Sequence, residues 1–385
     1  LNTFFQIFYN AYRHETFLRR REELNTILKK TKPTVVAIDI FSATDLLVVR
    51  TLDLKVKVFF YNPMLNTFDS PYPDVRGNNN QFLPSDKPFY KKLLYSLSPL
   101  KVLINASGYN PSGQLKWVYH KYPFLNKYSR HKENKIIRSF QNTPEVILAP
   151  LELEFGPDVC REHQVYSGFS ISKKRLDVDV DPAFEKSFQE ILKLKKQGLK
   201  LVYCSFGTYF SSRDEHRYVI AFFTLLIHAF RNEGNIAFVI ASKESITGAV
   251  KAQTNIPAHF SFFTKVPQLS VLAHADLFIT HGGLGSIKEA LSYAVPMLVY
   301  PLDLNWDQSG NAAKVQHHGL GMRGDFKTDT SKDIREKINY ILLSSQFVDN
   351  CREFENMVSQ SYNQYNTLKS LRGMFEKTIQ VSDSN

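Results

Sequence analysis

From about residue 199 onward, short apolar runs alternate with stretches in which apolar residues return every three or four positions. LVYCSF (201–206), IAFVIA (236–241), HFSFF (259–263), DLFIT (276–280) and PMLVYP (296–301) read as strands. RYVIAFFTLLIHAF (217–230) and the stretches beginning at Ser286 and near Ser309 read as helices. Strands alternating with helices of that length predict parallel pairing through crossover helices, a doubly wound α/β domain. The tail from Ser331 to about 378 has helical periodicity, with Ser331 and Asp333 as cap candidates.

The first half is written in the same way with more interruptions. TVVAIDIF (34–41) and VKVFFYNP (56–63) are strand-like and flank a helical stretch at 43–50, while PEVILAP (144–150) and QVYSGFS (164–170) supply two more strands. ETFLRRREELNTILKK, ahead of Thr34, reads as a helix, so the first visible strand follows a helix and the opening units of this domain are expected to be missing. ISKKRLDVDVDP (171–182) is charged, lacks an apolar period and ends in proline, as a linker does. After it, Phe184, Phe188, Ile191 and Leu192 fall at helical spacing and the pattern stops at Gly198. The expected organisation is an N-terminal domain over 1–170, a linker over 171–182 and a C-terminal domain over 183–378.

Composition narrows the class. At 385 residues with 43% apolar content, the chain has material for two cores. No uncharged apolar run is long enough to span a bilayer, and Leu1 is not followed by a signal-peptide pattern. Three scattered cysteines form no metal-ligand pair, and the expectation is a reduced, cytoplasmic protein. The net charge of +11 is uneven: residues 1–170 carry 23 Lys and Arg against 15 Asp and Glu. The excess gathers in KWVYHKYPFLNKYSRHKENKIIR (116–138), where basic and aromatic residues interleave. Such a run is ordinarily a solvated face; its sharper reading is peripheral contact with an anionic membrane surface. No zinc-finger spacing or RNA-binding signature accompanies it, so no nucleic-acid partner is expected.

The chemistry concentrates at FITHGGLGSIKEAL (278–291), where an apolar strand runs through His281, Gly282, Gly283 and Gly285 into a helix. Glycine loses more backbone entropy on folding than other residues, so three in four positions imply a close backbone approach. It is neither a Walker A loop nor a dinucleotide fingerprint. A strand ending in glycines at a helix start does present free N–H groups and the positive end of the helix dipole, a site suited to a diphosphate. The bland alternative is a capping box made by Ser286 and Glu289. Further on, Asp307 and Gln308 follow the strand PMLVYP at the sheet edge where α/β proteins bind ligands, and paired carboxylate and amide groups suit a polyhydroxylated ligand. Val266, Pro267 and Gln268 lie at another strand end on the same side.

Taken in order, VPQ, FITHGGLGSIKEALSYAVPM, a proline, Asp-Gln and Asn-Ala-Ala (Val266 to Gly321) resemble the donor-binding signature of the UDP-glycosyltransferase superfamily, the inverting GT-B glycosyltransferases. VYCSFGT and KPTVVAIDIF resemble family strands more weakly. The resemblance implies a GT-B fold of two Rossmann-like domains facing a cleft, with a nucleotide sugar held by the second and a hydroxyl acceptor, small and partly apolar or lipid, by the first. It implies diphosphate contacts from Gly207, Thr208, His281, Gly283, Gly285 and Ser286, ribose contacts from Glu289, and base contacts from Val266 and Gln268. Asp307 and Gln308 would hold the sugar hydroxyls. No metal and no cofactor beyond the sugar-nucleotide co-substrate is implied.

In the family a histidine takes the acceptor proton and an aspartate orients it. Asp39 matches that aspartate, or else caps the helix after it; the histidine has no counterpart in this chain. Lys265 stands where the family often has a base-stacking aromatic, and Gly285 where plant members have Asn. Transfer of a hexose with inversion is the leading expectation. A UDP-sugar 2-epimerase-like isomerase and a non-catalytic nucleotide-sugar binder are the alternatives.

Overall fold

A computed structural model describes residues 14–73, 111–134, 137–175, 179–207, 213–304, 306–363, 366–367, 369–374 and 376. The first half contains helix α1 (Glu15–Thr31), strand β1 (Val35–Asp39), α2 (Asp45–Arg50), β2 (Lys57–Asn62), α3 (Pro111–Lys121), β3 (Glu145–Ile147) and β4 (Gln164–Tyr166). Its four strands form one parallel sheet in the order β1-β2-β3-β4. Side chains alternate across a strand, and Ile38, Val58 and Phe60 on one face meet Phe17 and Leu28 of α1, Leu46 to Val49 of α2 and Val118 of α3. The opposite face, with Ala37, Phe59, Tyr61, Val146 and Leu148, lines an open cavity of about 1080 Å³ closed on its far side by Val358, Tyr362 and Leu371.

In the second half come α4 (Phe184–Lys195), β5 (Lys200–Ser205), α5 (Arg213–Phe230), β6 (Ile236–Ala241), α6 (Glu244–Gln253) and β7 (Phe260–Phe263). They are followed by α7 (Gln268–Leu272), β8 (Leu277–Thr280), α8 (Leu284–Leu291), β9 (Met297–Val299), α9 (Gln308–His317), β10 (Gly321–Arg323), α10 (Ser331–Leu343) and α11 (Ser345–Ser361). The six strands form a second parallel sheet ordered β10-β9-β8-β5-β6-β7. Leu201, Tyr203 and Phe278 point into one core with α4, α8 and α9. Val202, Cys204, Leu277 and Ile279 point into the other with α5, α6 and α10. Both faces of this sheet are therefore covered, which is why its strands read as unbroken apolar runs. The chain winds outward from β5 to β7 and then returns to β8 on the other side of β5. That reversal opens a crevice beyond the carboxyl ends of β5 and β8.

The halves are bolted together by buried polar contacts as well as by a shared apolar core. Lys314 Nζ lies 3.2 Å from Glu154 Oε2 with both side chains at most 2% exposed. Glu154 Oε1 also accepts from Tyr166 Oη and the Asn66 amide. Lys288 Nζ donates to the Leu148 carbonyl, and the Leu151 amide donates to Tyr362 Oη at 3.0 Å. The tail, expected with the C-terminal domain, thus reaches back onto the first half. The segment expected as a linker is anchored to the second half, since Asp181 accepts from the Thr264 amide and hydroxyl and its amide donates to the Lys265 carbonyl.

One reading needs correction. Ser331 does not cap α10; Thr330 does, exchanging hydrogen bonds with Asp333 in a full capping box. Helices α6 and α7 and strand β10 are additional elements, each short or weakly periodic in sequence. In the basic stretch, Lys121 lies over the Trp117 and Tyr122 rings and Lys127 over Tyr128, so two of its cations cover the chain's own aromatics. Lys135 lies outside the described residues. Among those described, no helix is long and apolar enough to cross a membrane.

Candidate functional site

Each glycine of THGGLGS has a separate reason. Gly282 has φ +88°, and a Cβ there would come within 2.8 Å of Val299 Cγ1 and 3.0 Å of the Gln308 carbonyl oxygen. Gly283 has an ordinary φ of −62° and is the N-cap of α8, but a Cβ on it would sit 2.7 Å from His281 Nε2. Gly207, after β5, approaches the same ring from the other side, with a Cβ position 3.0 Å from His281 Cε1. The imidazole is thus clasped between the β5 and β8 loops. Gly285 differs: a Cβ there would meet no heavy atom within 4 Å. It stands exposed in the first turn of α8, facing open space at the helix N-terminus.

The capping box does not form. Helix α8 begins at Leu284, so Ser286 lies inside its first turn, and no side chain caps the helix. The Glu289 carboxylate is engaged elsewhere: Oε2 accepts from Gln268 Nε2 and Oε1 from Arg175 Nη1, each at 2.6 Å. Tyr203 Oη in turn donates to Gln268 Oε1 at 3.0 Å. Two residues predicted for base and ribose contacts therefore touch directly. Arg175 and Tyr203 join them without having been singled out in sequence; only the position of Arg175 in the charged linker hinted at it. Val266 buries its side chain in the core, and Lys265 reaches back toward Asp179, 4.0 Å away.

His281 is partly buried, and desolvation of its ring lowers the imidazole to about 4, with the Ser205 backbone opposing the shift. At neutral pH the ring is uncharged and offers one N–H; its Nδ1 is buried without a hydrogen-bond partner. Asp307 occupies the N-cap position of α9, and its side chain makes no cap hydrogen bond there. Burial raises its carboxyl from the ordinary value, opposed by the hydrogen bond from Asn311. Asn311 Nδ2 donates both to Asp307 Oδ2 at 2.9 Å and to the Gly282 carbonyl at 3.0 Å, tying the β9 loop to the glycine loop. Gln308 Oε1 accepts from the Leu302 and Asp303 amides at 2.8 and 3.0 Å, which holds that loop and leaves the amide nitrogen of the side chain for other partners. Thr208 lies outside the described residues.

Asp39 ends β1 and caps the short 3-10 turn Ile40–Ser42, accepting from the Phe41 amide at 2.9 Å. The neighbouring Asp39 carboxylate raises the Tyr61 phenol from its ordinary value. His14, the histidine ahead of Asp39, is stacked on Trp117 at 4.0 Å beside α1.

Residues 239–364 match the model of the Erythromycin biosynthesis protein CIII-like C-terminal domain family. The chain is 29% identical over 177 residues to the NDP-glycosyltransferase YjiC of Bacillus subtilis (strain 168), covering 46% of the chain and 42% of that protein. It is 33% identical over 130 residues to the oleandomycin glycosyltransferase of Streptomyces antibioticus, covering 34% of the chain and 27% of the relative. The matched region spans less than half the length of either relative. Among solved structures, the glycotransferase of kitacinnamycin matches with a TM-score of 0.61 at 16% identity, over 95% of this chain and 83% of that one. The calicheamicin glycosyltransferase CalG4 matches with a TM-score of 0.57 at 16% identity, over 95% and 80%. The two parallel-sheet halves thus have the GT-B architecture expected from the sequence.

Proposed function

Because the chain belongs to the UDP-glycosyltransferase superfamily, we propose that it takes part in transferring a hexose from a nucleoside-diphosphate sugar, UDP-sugar foremost, to a hydroxyl of a small, partly apolar or lipid acceptor, with inversion. The observation that carries this reading is the open space at Gly285. It lies at a helix N-terminus beside a neutral, clasped histidine, while the other glycines of the loop are accounted for by the protein itself.

The diphosphate sits at the start of α8, where the first-turn amides and Ser286 donate to it and His281 adds a neutral N–H. Negative charge builds on this group as the sugar carbon takes on oxocarbenium character, and donors fixed before the reaction stabilise it without reorganising. The Gln268–Glu289 pair faces the nucleoside, with Glu289 exchanging the Arg175 contact for ribose hydroxyls. Asp307, steadied by Asn311, and the Gln308 amide take the sugar hydroxyls. Asp39 serves to orient the base that receives the acceptor proton.

Incubating the protein with UDP-glucose and a panel of hydroxyl acceptors and following UDP release tests the reading. Acceptor-dependent release supports transfer. Interconversion of the sugar without acceptor supports the epimerase reading, and UDP binding without turnover the non-catalytic one. A second reading concerns 116–138, where Lys116, Lys121, Lys127, Arg130 and Lys132 are exposed together with Phe124, a pattern that favours peripheral binding to an anionic membrane. Co-sedimentation with vesicles containing phosphatidylserine, lost at high salt, is the expected behaviour; equal binding to neutral vesicles contradicts it.

A further inference from the structure

Two large aromatic rings, one from each half of the molecule, meet at the mouth of the cleft and remain about half exposed. Phe41 is 55% and Trp306 48% exposed, and their rings approach edge-to-face with centroids 5.9 Å apart at 81°. Leu304, in the same loop as Trp306, is 41% exposed. Leaving this much apolar surface in water is unfavourable, and a ligand that covers it gains binding free energy.

Their positions say what covers them. Phe41 is two residues beyond Asp39, and its amide is bonded to that carboxylate. Trp306 directly precedes Asp307, whose carboxylate Asn311 holds. The two loops that carry the proposed proton-handling and sugar-holding groups therefore touch through these rings. A hydroxyl presented between Asp39 and the sugar has the rest of its molecule lying against Phe41 and Trp306. With Asp39 and Asp307 beside the rings, a neutral body is accommodated better than an anionic one.

We propose that Phe41 and Trp306 form a joint contact for the non-reacting, apolar body of the acceptor and so set acceptor selectivity; this rests on the transferase reading above. The groups assigned to the nucleoside, Gln268 and Glu289, lie on other elements than the two rings, so the contact is separable from donor binding. The test is calorimetry of the full chain with two probes: 2-naphthol, a planar apolar body carrying one hydroxyl, titrated in the presence of UDP, and UDP alone. Phe41→Ala and Trp306→Ala should each weaken 2-naphthol binding at least tenfold while UDP affinity stays within twofold. Should an alanine variant misfold, Phe41→Leu and Trp306→Leu keep apolar area, lose the ring and carry the same test with a smaller loss expected. Unchanged 2-naphthol affinity in either position, or no binding of 2-naphthol to the unsubstituted protein, overturns the joint contact. Absence of UDP binding to the unsubstituted protein instead overturns the transferase reading, whatever 2-naphthol does.

Discussion

His281 illustrates how a single residue can serve a site by staying uncharged. Pressed between Gly207 and Gly283 and largely desolvated, it has its imidazole lowered to about 4. In the unfolded chain the same group titrates near 6.5, so between those values the unfolded state binds the extra proton and stability falls as pH drops. For one such group the loss by pH 4 is of order 3 kcal/mol. His163, lowered to about 4 by burial beside His131, adds to the same acid lability. His281→Asn removes one of these contributions, and its melting temperature should fall less steeply than that of the unsubstituted protein between pH 6.5 and 4. Parallel profiles would mean that His281 is not held neutral. The presence of this histidine was legible in the sequence; the reason for two of its glycines was not, because Gly207 and Gly283 are 76 positions apart and meet only through the ring between them.

At the scale of elements, hydrophobic periodicity located most strands and helices, since a sheet covered on both faces leaves apolar runs that need no partner to be recognised. Caps were harder, because a capping box depends on where a helix begins and that boundary shifts by a residue or two. SIKE has the right letters, but α8 starts two residues earlier and its glutamate turns to Gln268 and Arg175. TSKD, beginning 44 residues after Ser286, makes the real box at α10. Thr330→Ala should therefore cost about 1 kcal/mol in denaturant unfolding. Ser286→Ala should leave stability unchanged and affect nucleotide binding instead. Equal destabilisation by both would restore the capping role to Ser286.

For the whole molecule, the decisive features are those that join distant stretches: Lys314 to Glu154, Tyr362 to Leu151, Arg175 to Glu289. None of them could be read from spacing, since each pairs residues more than a hundred positions apart. Lys314→Met leaves the Glu154 carboxylate buried without its cation, and a loss of about 3–5 kcal/mol of unfolding free energy is expected, with Lys314→Met combined with Glu154→Gln losing less. A loss no larger in the single variant than in the double would show that the pair is not the strut between the halves. The central claim, a nucleoside diphosphate at the start of α8, is tested most directly by titrating UDP into Gly285→Leu. A Cβ there meets no protein atom within 4 Å and leucine favours a helix over glycine by roughly 0.5–1 kcal/mol, so stability should hold or rise. The predicted result is a UDP affinity at least tenfold weaker with the melting temperature unchanged or higher; an unaltered affinity would contradict the site.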